Sequence, residues 1–396
     1  ARIADMLNHP GGSVDYNGKE LVYPDIRLVY WAGGNPFHHH QDLNRLRQAW
    51  AKPDTIIVNE PFWTATARHA DIVFPVTTAL ERNDLGGSSY DCYLSPMRQA
   101  VEPFAASRSD FEIFAALAQR LGFEEQFTAG RGEMEWVEQL YETTRENAAR
   151  CGARLPSFDV FWSGEQFSVA DQVEEVEFIL EKFRRDPEKY PLGTPSGKIE
   201  IYSDTIAGFD YSDCRGHPRW YEREEWLGSE RARTWPFHLV SNQPKTRLHS
   251  QFDHGRTSRE HKIGGRERAR MHPRDAQRRQ IGDGDTVRIF NERGACLAGI
   301  ELSSGVHRGV IELPTGALYF PMERDGENLE VHGNPNALTP DRGTSRLAQG
   351  SIAHSCLVDI EKFEGELPPV VAFEPPETQE RTSGNSSDGY ASEEKS

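Results

Sequence analysis

The sequence predicts an α/β fold in two parts, a parallel sheet followed by a compact β-barrel. Two observations carry this. Near the start, short apolar runs alternate with stretches of helical spacing, the pattern of strands joined by crossover helices. From about Arg231 the texture changes to short β-like runs broken by Gly-Asp turns. The chain has 396 residues, 37% hydrophobic and 27% charged, enough apolar material to bury a core over more than one domain.

The first strand is Ile26–Trp31, ended by Gly33-Gly34-Asn35-Pro36. Asp42 to Trp50 then places Leu43, Leu46, Ala49 and Trp50 on one helical face. Thr55–Val58 and Ala70–Pro75 supply two further strands. Ligands of parallel sheets bind at the C-terminal strand ends, here 33–40, 59–63 and 75–84. A helix is expected over Ser109–Leu121, and amphipathic helices over Glu133–Arg150 and Ala170–Arg185. Pro156–Gly164 reads as an aromatic loop, and Lys198–Tyr202 as a short strand. In the second part, Phe237–Val240, Thr286–Asn291, Cys296–Leu302 and Val310–Leu313 read as strands, with one helix at His272–Arg279. Beyond Phe363 the composition turns to Pro, Glu, Ser and Gly, which predicts disorder.

Charge narrows the function classes. A net charge of -17 argues against nucleic acid as a partner. The tail Glu366–Ser396 holds seven acids against Arg381 and Lys395. The stretch His254–Gln280 is rich in Arg, which suits a small anionic ligand or else a solvated helix face. No apolar run is long enough for a membrane helix, so no membrane insertion is expected. Cys92, Cys151, Cys214, Cys296 and Cys356 form no CxxC pair, so no zinc or iron–sulfur site is written here. They read as reduced thiols, most of them buried.

The chemistry in the local patterns is that of a ligand cradle. Gly33 and Gly34 let backbone approach a ligand, and Asn35 with the following helix start offers donors to anionic oxygens. His38, His39 and His40 invite a metal reading, but adjacent side chains diverge, so no metal site is assigned. Asn59 and Glu60 end the second strand, where nucleotide-binding sheets contact ribose or base. Asp110 opens a helix, which the macrodipole alone explains, and a carboxylate also matches the paired donors of a guanine edge. No nucleophile motif and no P-loop occur, so no catalytic residue is assigned.

Several long segments resemble the molybdopterin-guanine-dinucleotide reductases. They are WAGGNPFHHHQDLNRL, TARHADIVFPVTTALERND, PLGTPSGKIEIYSDTIAGF, LHSQFD, HPRDAQRRQIGDGDTVRIFNERG and LTPDRGTSRLAQG. The branch they resemble includes biotin sulfoxide, trimethylamine N-oxide and dimethyl sulfoxide reductases, over about Arg27 to Lys362. The resemblance implies a Rossmann-like dinucleotide-binding domain with a helical insertion over 1–230. It further implies a double-psi β-barrel over 231–365 and an acidic disordered tail over 366–396. It also implies that the chain is the C-terminal half of such an enzyme. The serine that binds molybdenum in this branch would lie in the other half, so no metal ligand is expected here.

By this resemblance the cofactor is Mo-bis(molybdopterin guanine dinucleotide). The residues matching its contacts are Gly33, Gly34, Asn35, His39, Asn59 (often Asp in relatives) and the guanine-reading Asp110. Gln243, His249 and Ser250 match a barrel loop facing the pterins, and Asn336 and Gln349 a C-terminal loop. The implied reaction is oxygen-atom transfer from a small-molecule S-oxide or N-oxide, fed by an electron donor. The alternatives are a non-catalytic dinucleotide-binding module or partner subunit, and a barrel used for protein binding. Cytoplasm and periplasm both remain open.

Overall fold

The computed structural model describes residues 2–88, 91–172, 178–324 and 326–376. A short helix α1 (Ile3–Asn8) and an antiparallel hairpin, β1 (Ser13–Tyr16) with β2 (Lys19–Val22), precede the predicted sheet. That sheet has three parallel strands in the order β3 (Leu28–Ala32), β4 (Thr55–Glu60), β5 (Ile72–Pro75). The apolar residues of β4 lie between the other two strands, and Ile56 and Val58 are buried.

The connections are helical, and the expected one over Asp42 to Trp50 is among them. The Gly33-Gly34 turn leads into α2 (Pro36–His39), with Pro at its start, where the missing N–H costs nothing. Helix α3 (Leu43–Trp50) is capped by Asp42, whose side chain accepts from the Arg45 N–H, and it buries Leu43, Leu46, Ala49 and Trp50. This is the face the sequence spacing predicted. Helix α4 (Ala65–Arg68) joins β4 to β5. A second antiparallel sheet, β6 (Asp84–Gly87), β7 (Tyr93–Met97) and β8 (Phe167–Ser168), packs Leu85, Leu94 and Phe167 against Tyr141 and Phe161, and α5 spans Asp110–Leu121. Ser109 and Glu112 close a reciprocal capping box on α5.

The second part is a closed barrel of six strands. They are β9 (Phe237–Val240), β10 (Arg268–Met271), β11 (Thr286–Asn291), β12 (Gly294–Leu302), β13 (Val310–Glu312) and β16 (Leu357–Lys362). Their order is β10-β13-β9-β16-β11-β12, and a parallel pairing of β12 with β10 shuts the ring. The hairpin β14 (Pro321–Arg324) with β15 (Glu327–Glu330) hangs from the free half of β12. Alternation fills the interior: Leu239, Ala269, Met271, Val287, Ile289, Ala298, Ile300, Ile311, Val358 and Ile360 are buried inward.

The two parts interlock. Phe37 stacks on His69 at 4.3 Å and lies 5.9 Å from Tyr319 of the barrel. The Tyr319 hydroxyl donates to Asn44 at 2.8 Å, and the Asp42 N–H donates to the Thr339 carbonyl at 2.9 Å.

Several expectations need correction. Ala170–Arg185 is not one amphipathic helix: a 3-10 turn covers Ala170–Gln172, and Leu180, in a left-handed conformation, starts a short helix Glu181–Arg185, with 173–177 outside the described residues. Lys198–Tyr202 is not a strand, because it has no pairing partner among the described residues. The aromatic segment at Pro156–Gly164 contains a helix, Phe158–Ser163, that buries Phe161 against Tyr141. Only Cys296 and Cys356 are fully buried, and Cys151 is exposed. In the stretch 254–280, Arg268, Arg270 and Arg279 pair with Glu301, Glu312 and Asp359, so they are neither a free anion patch nor a helix face. The first part of the expected tail packs instead: Ala372 is buried and Phe373 meets the His332 ring edge-on at 4.8 Å, while 377–396 lie outside the described residues.

Candidate functional site: a cradle between the sheet and the barrel

The C-terminal ends of β3 and β4 face one loop of the barrel. Gly33 and Gly34 have φ of +76° and +81°, which a side chain rarely adopts, and a Cβ on Gly33 would meet nothing within 4 Å. The turn therefore presents bare backbone. Asn35 follows and is buried; its amide donates to Ser250 Oγ at 3.3 Å, and its carbonyl oxygen accepts from the Thr66 hydroxyl. This bond joins the sheet to the barrel loop across 215 residues of sequence.

The barrel loop is held from within. The Gln243 side chain brackets His249, accepting from its backbone N–H at 3.4 Å and lying 3.1 Å from ring Nδ1. The His249 ring lies 5.5 Å from His38 and 5.7 Å from His39, so three imidazoles line one side. Burial, with the neighbouring imidazoles, pushes His38 down to about 3, and burial with His249 lowers His39. Among the described residues, no group of His, Cys, Asp and Glu is arranged to hold a metal.

Asn59 and Asp110 form a second pair. Asn59 sits in register beside Ala32 at the end of β4. Its carbonyl oxygen accepts from the Tyr30 hydroxyl at 3.0 Å, and its amide donates to Asp110 Oδ1 at 2.7 Å. The exposed Asp110 carboxylate is thus oriented and keeps its second oxygen available. Beside it, burial raises Glu60 to about 7, despite donation from the Thr64 hydroxyl.

Of the residues singled out by sequence, Gly33, Gly34, Asn35, His39, Gln243, His249 and Ser250 come together. Asn59 and Asp110 form the neighbouring pair. Asn336 is a brace behind the cradle: its amide donates to the His38 carbonyl at 2.7 Å and its oxygen accepts from Thr339. Gln349 is bonded elsewhere, to Arg2 at 3.0 Å and to the Ser345 carbonyl.

Sequence reasoning missed what lies underneath. Arg247, Asp253, Lys262 and Glu267 form a buried four-way ion network with contacts of 2.7–3.3 Å. Burial pushes Asp253 up, but the nearby Lys262, together with His332 and Arg247, outweighs it and holds the carboxyl at about 2. Nothing in their spacing shows that these charges are buried. Two polar atoms near the cradle, His38 Nδ1 and Asn242 Oδ1, are buried without a hydrogen-bond partner among the described residues.

Two family models match these same regions. Residues 8–120 match "Molybdopterin oxidoreductase", and 237–357 match "Molydopterin dinucleotide binding domain". Each match is to a part of the chain. The ligand class that these two descriptions name is a molybdopterin dinucleotide. The chain is 49% identical to a biotin sulfoxide reductase of Cereibacter sphaeroides over 92% of its own length and 48% of that protein. It is 46% identical to a trimethylamine-N-oxide reductase of Haemophilus influenzae, over 95% and 46%. A dimethyl sulfoxide/trimethylamine N-oxide reductase of Cereibacter sphaeroides is 45% identical, over 95% and 46%. The chain therefore spans about half the length of the curated relatives it matches. Among solved structures, acetylene hydratase from Pelobacter acetylenicus superposes with a TM-score of 0.64 at 19% identity, over 86% of this chain and 45% of that one. That likeness concerns the fold.

The molybdopterin-domain residues fit such a group. Bare backbone at Gly33-Gly34, an oriented carboxylate at Asp110 and unpartnered polar atoms at His38 and Asn242 suit a ligand with anionic oxygens and a purine edge.

Proposed function

We propose that the chain is the C-terminal, cofactor-holding part of a molybdenum-dependent S-oxide or N-oxide reductase that carries out oxygen-atom transfer. The observation that carries this reading is the Asn35–Ser250 contact, which unites the strand-end turn of one matched domain with the loop of the other. The cofactor in this reading is Mo-bis(molybdopterin guanine dinucleotide). When bound, it supplies a two-electron centre that removes oxygen from the substrate, with two protons completing a water.

The chain's own residues bind and orient. Gly33-Gly34 backbone and Asn35 approach the dinucleotide phosphates, and Asp110, steered by Asn59, reads the guanine edge. His39, His249, Gln243 and Ser250 face the pterin side. Burial, with the neighbouring His249, lowers His39, which favours its neutral ring as a hydrogen-bonding group there. In this reading the dinucleotide-binding domain covers 1–230, a barrel of the double-psi type 231–365 and the tail 366–396. The metal-binding serine lies, in this reading, outside this chain.

The test is the guanine-nucleotide and molybdenum content of the purified chain from a host that makes the cofactor. Guanine nucleotide is expected, and D110N should lower it by about tenfold, the loss of a charge-assisted pair of bonds. Guanine nucleotide without stoichiometric molybdenum fits a binding half. Absence of both sinks the claim that this chain alone forms the cradle.

A further inference from the structure

Four features converge on one peptide group, the carbonyl of His249. His249 itself has φ +52°, a left-handed conformation unusual for a non-glycine residue, and Phe252 three positions on has φ +57°. The Arg247 guanidinium donates to the His249 carbonyl at 3.2 Å. Its two other nitrogens donate to Ser258 Oγ at 3.0 Å and to the Thr315 carbonyl at 2.8 Å. Gly316, at φ +101°, lies so close that a Cβ there would stand 1.9 Å from the His249 oxygen and 3.0 Å from Arg247 Nε.

A loop with two left-handed residues does not hold itself. Here the fork of Arg247 ties three separate segments, 249, 258 and 315, while Asp253 and Glu267 neutralise its charge in the interior. Lysine keeps a charge but lacks the planar fork, so it cannot make these bonds together. Gly316 supplies the space into which the turned carbonyl fits. The Asp253 carboxylate, in turn, accepts from the Leu318 N–H at 3.0 Å, which locks the 315–318 segment to the same network.

We propose that Arg247 and Gly316 are positioning residues: they fix the left-handed turn at His249 and so aim His249 and Ser250 into the cradle. The inference rests on the cofactor reading above for what the cradle holds, but the placement of the loop is independent of it. The Arg247 side chain is 1% exposed and Gly316 is buried. Both act through the His249 peptide.

The experiment uses the full 396-residue chain and the variants R247K and G316A. Hydrogen–deuterium exchange is measured by segment, beside affinity for molybdopterin guanine dinucleotide and for GMP alone. GMP probes the Asn59–Asp110 pair, whose hydrogen bonds run to Tyr30 and to each other. Expected are faster exchange confined to residues 247 to 254, dinucleotide affinity lower by about tenfold or more, and unchanged GMP affinity. R247K keeps the buried cation, so it decides the matter if G316A fails to fold. Unchanged exchange in a folded variant overturns the proposal, as does faster exchange with unchanged dinucleotide affinity. If the unaltered chain binds neither ligand, the cofactor reading fails, and the exchange data alone decide whether Arg247 and Gly316 hold the loop.

Discussion

In the barrel, Leu239, Met271, Ile289, Ile300 and Ile311 are fully buried, whereas Phe178, Ile179, Ile199, Ile201, Tyr202 and Trp220 stand in solvent, Ile179 90% and Ile201 77% exposed. Both regions are rich in large apolar side chains. The barrel closes on itself through the β12–β10 pairing, so every inward side chain finds a neighbour. The segment from 178 to 228 has no strand and only short helices among its described residues. Tyr211 is buried there, but Ile179, Ile199, Ile201 and Trp220 find no cover among the described residues, and such a surface marks an interaction face or an aggregation liability. The comparison separates a self-sufficient core from a surface whose stability is settled by what covers it.

The largest expected effect tests the first half of that contrast. Leu239→Ala removes a fully buried side chain from the barrel cluster. It should lower unfolding free energy by about 2–5 kcal/mol, from lost transfer energy plus the cavity left behind. Urea unfolding followed by tryptophan fluorescence and circular dichroism would check this. A loss near zero would mean that the barrel is already loosely packed.

A smaller and more gradual effect is expected with pH. Burial holds His38 and His332 at about 3, against an ordinary 6.5. Below 6.5 the unfolded chain takes up protons that the folded chain refuses. Stability should therefore be full above 6.5 and fall as pH drops toward 3, by about 1.4 kcal/mol per pH unit for each histidine. Asp253 adds a loss between about 4 and 2, where its paired carboxylate must finally be protonated. His332 lies in the barrel part and His38 in the sheet part, so His332→Phe and His38→Phe would each flatten a share of the slope. A pH-independent melting temperature from 7 to 5 would contradict the neutral assignment of both rings.

How much of this was legible in sequence depends on how far each side chain's partner lies along the chain. Helix α3 was readable because Leu43, Leu46, Ala49 and Trp50 show their spacing within nine residues and Asp42 caps them. The three parallel strands were readable for the same local reason. Strand β10 was missed, because Arg268-Ala269-Arg270-Met271 reads as part of a basic run. Its arginines are outward residues of a strand, answered by Glu301 and Glu312 on β12 and β13, and only those distant partners reveal it. The cradle was half legible. Gly33-Gly34-Asn35 announces a turn, and Asp110 announces a helix start. That Asn59 would steer Asp110, or that Arg247 would lie buried beneath His249, depends on contacts across 51 residues and on burial that spacing does not encode.

The smallest expected change in folding energy is also the one that sharpens the comparison most. Ile199 and Ile201 are 65% and 77% exposed and lie outside any strand or helix, so replacing both with Ser removes little buried area. Stability should move by no more than about 0.5 kcal/mol. Association should move much further, because an exposed apolar face favours association. The double variant should therefore show the same urea midpoint as the unaltered chain and a larger monomer fraction in sedimentation velocity. A lowered midpoint with unchanged association would mean that these side chains pack within the chain, and the contrast with the barrel would collapse at this point. An unchanged midpoint with more monomer would leave the barrel as the source of folding energy and the 178–228 segment as a face that needs a partner.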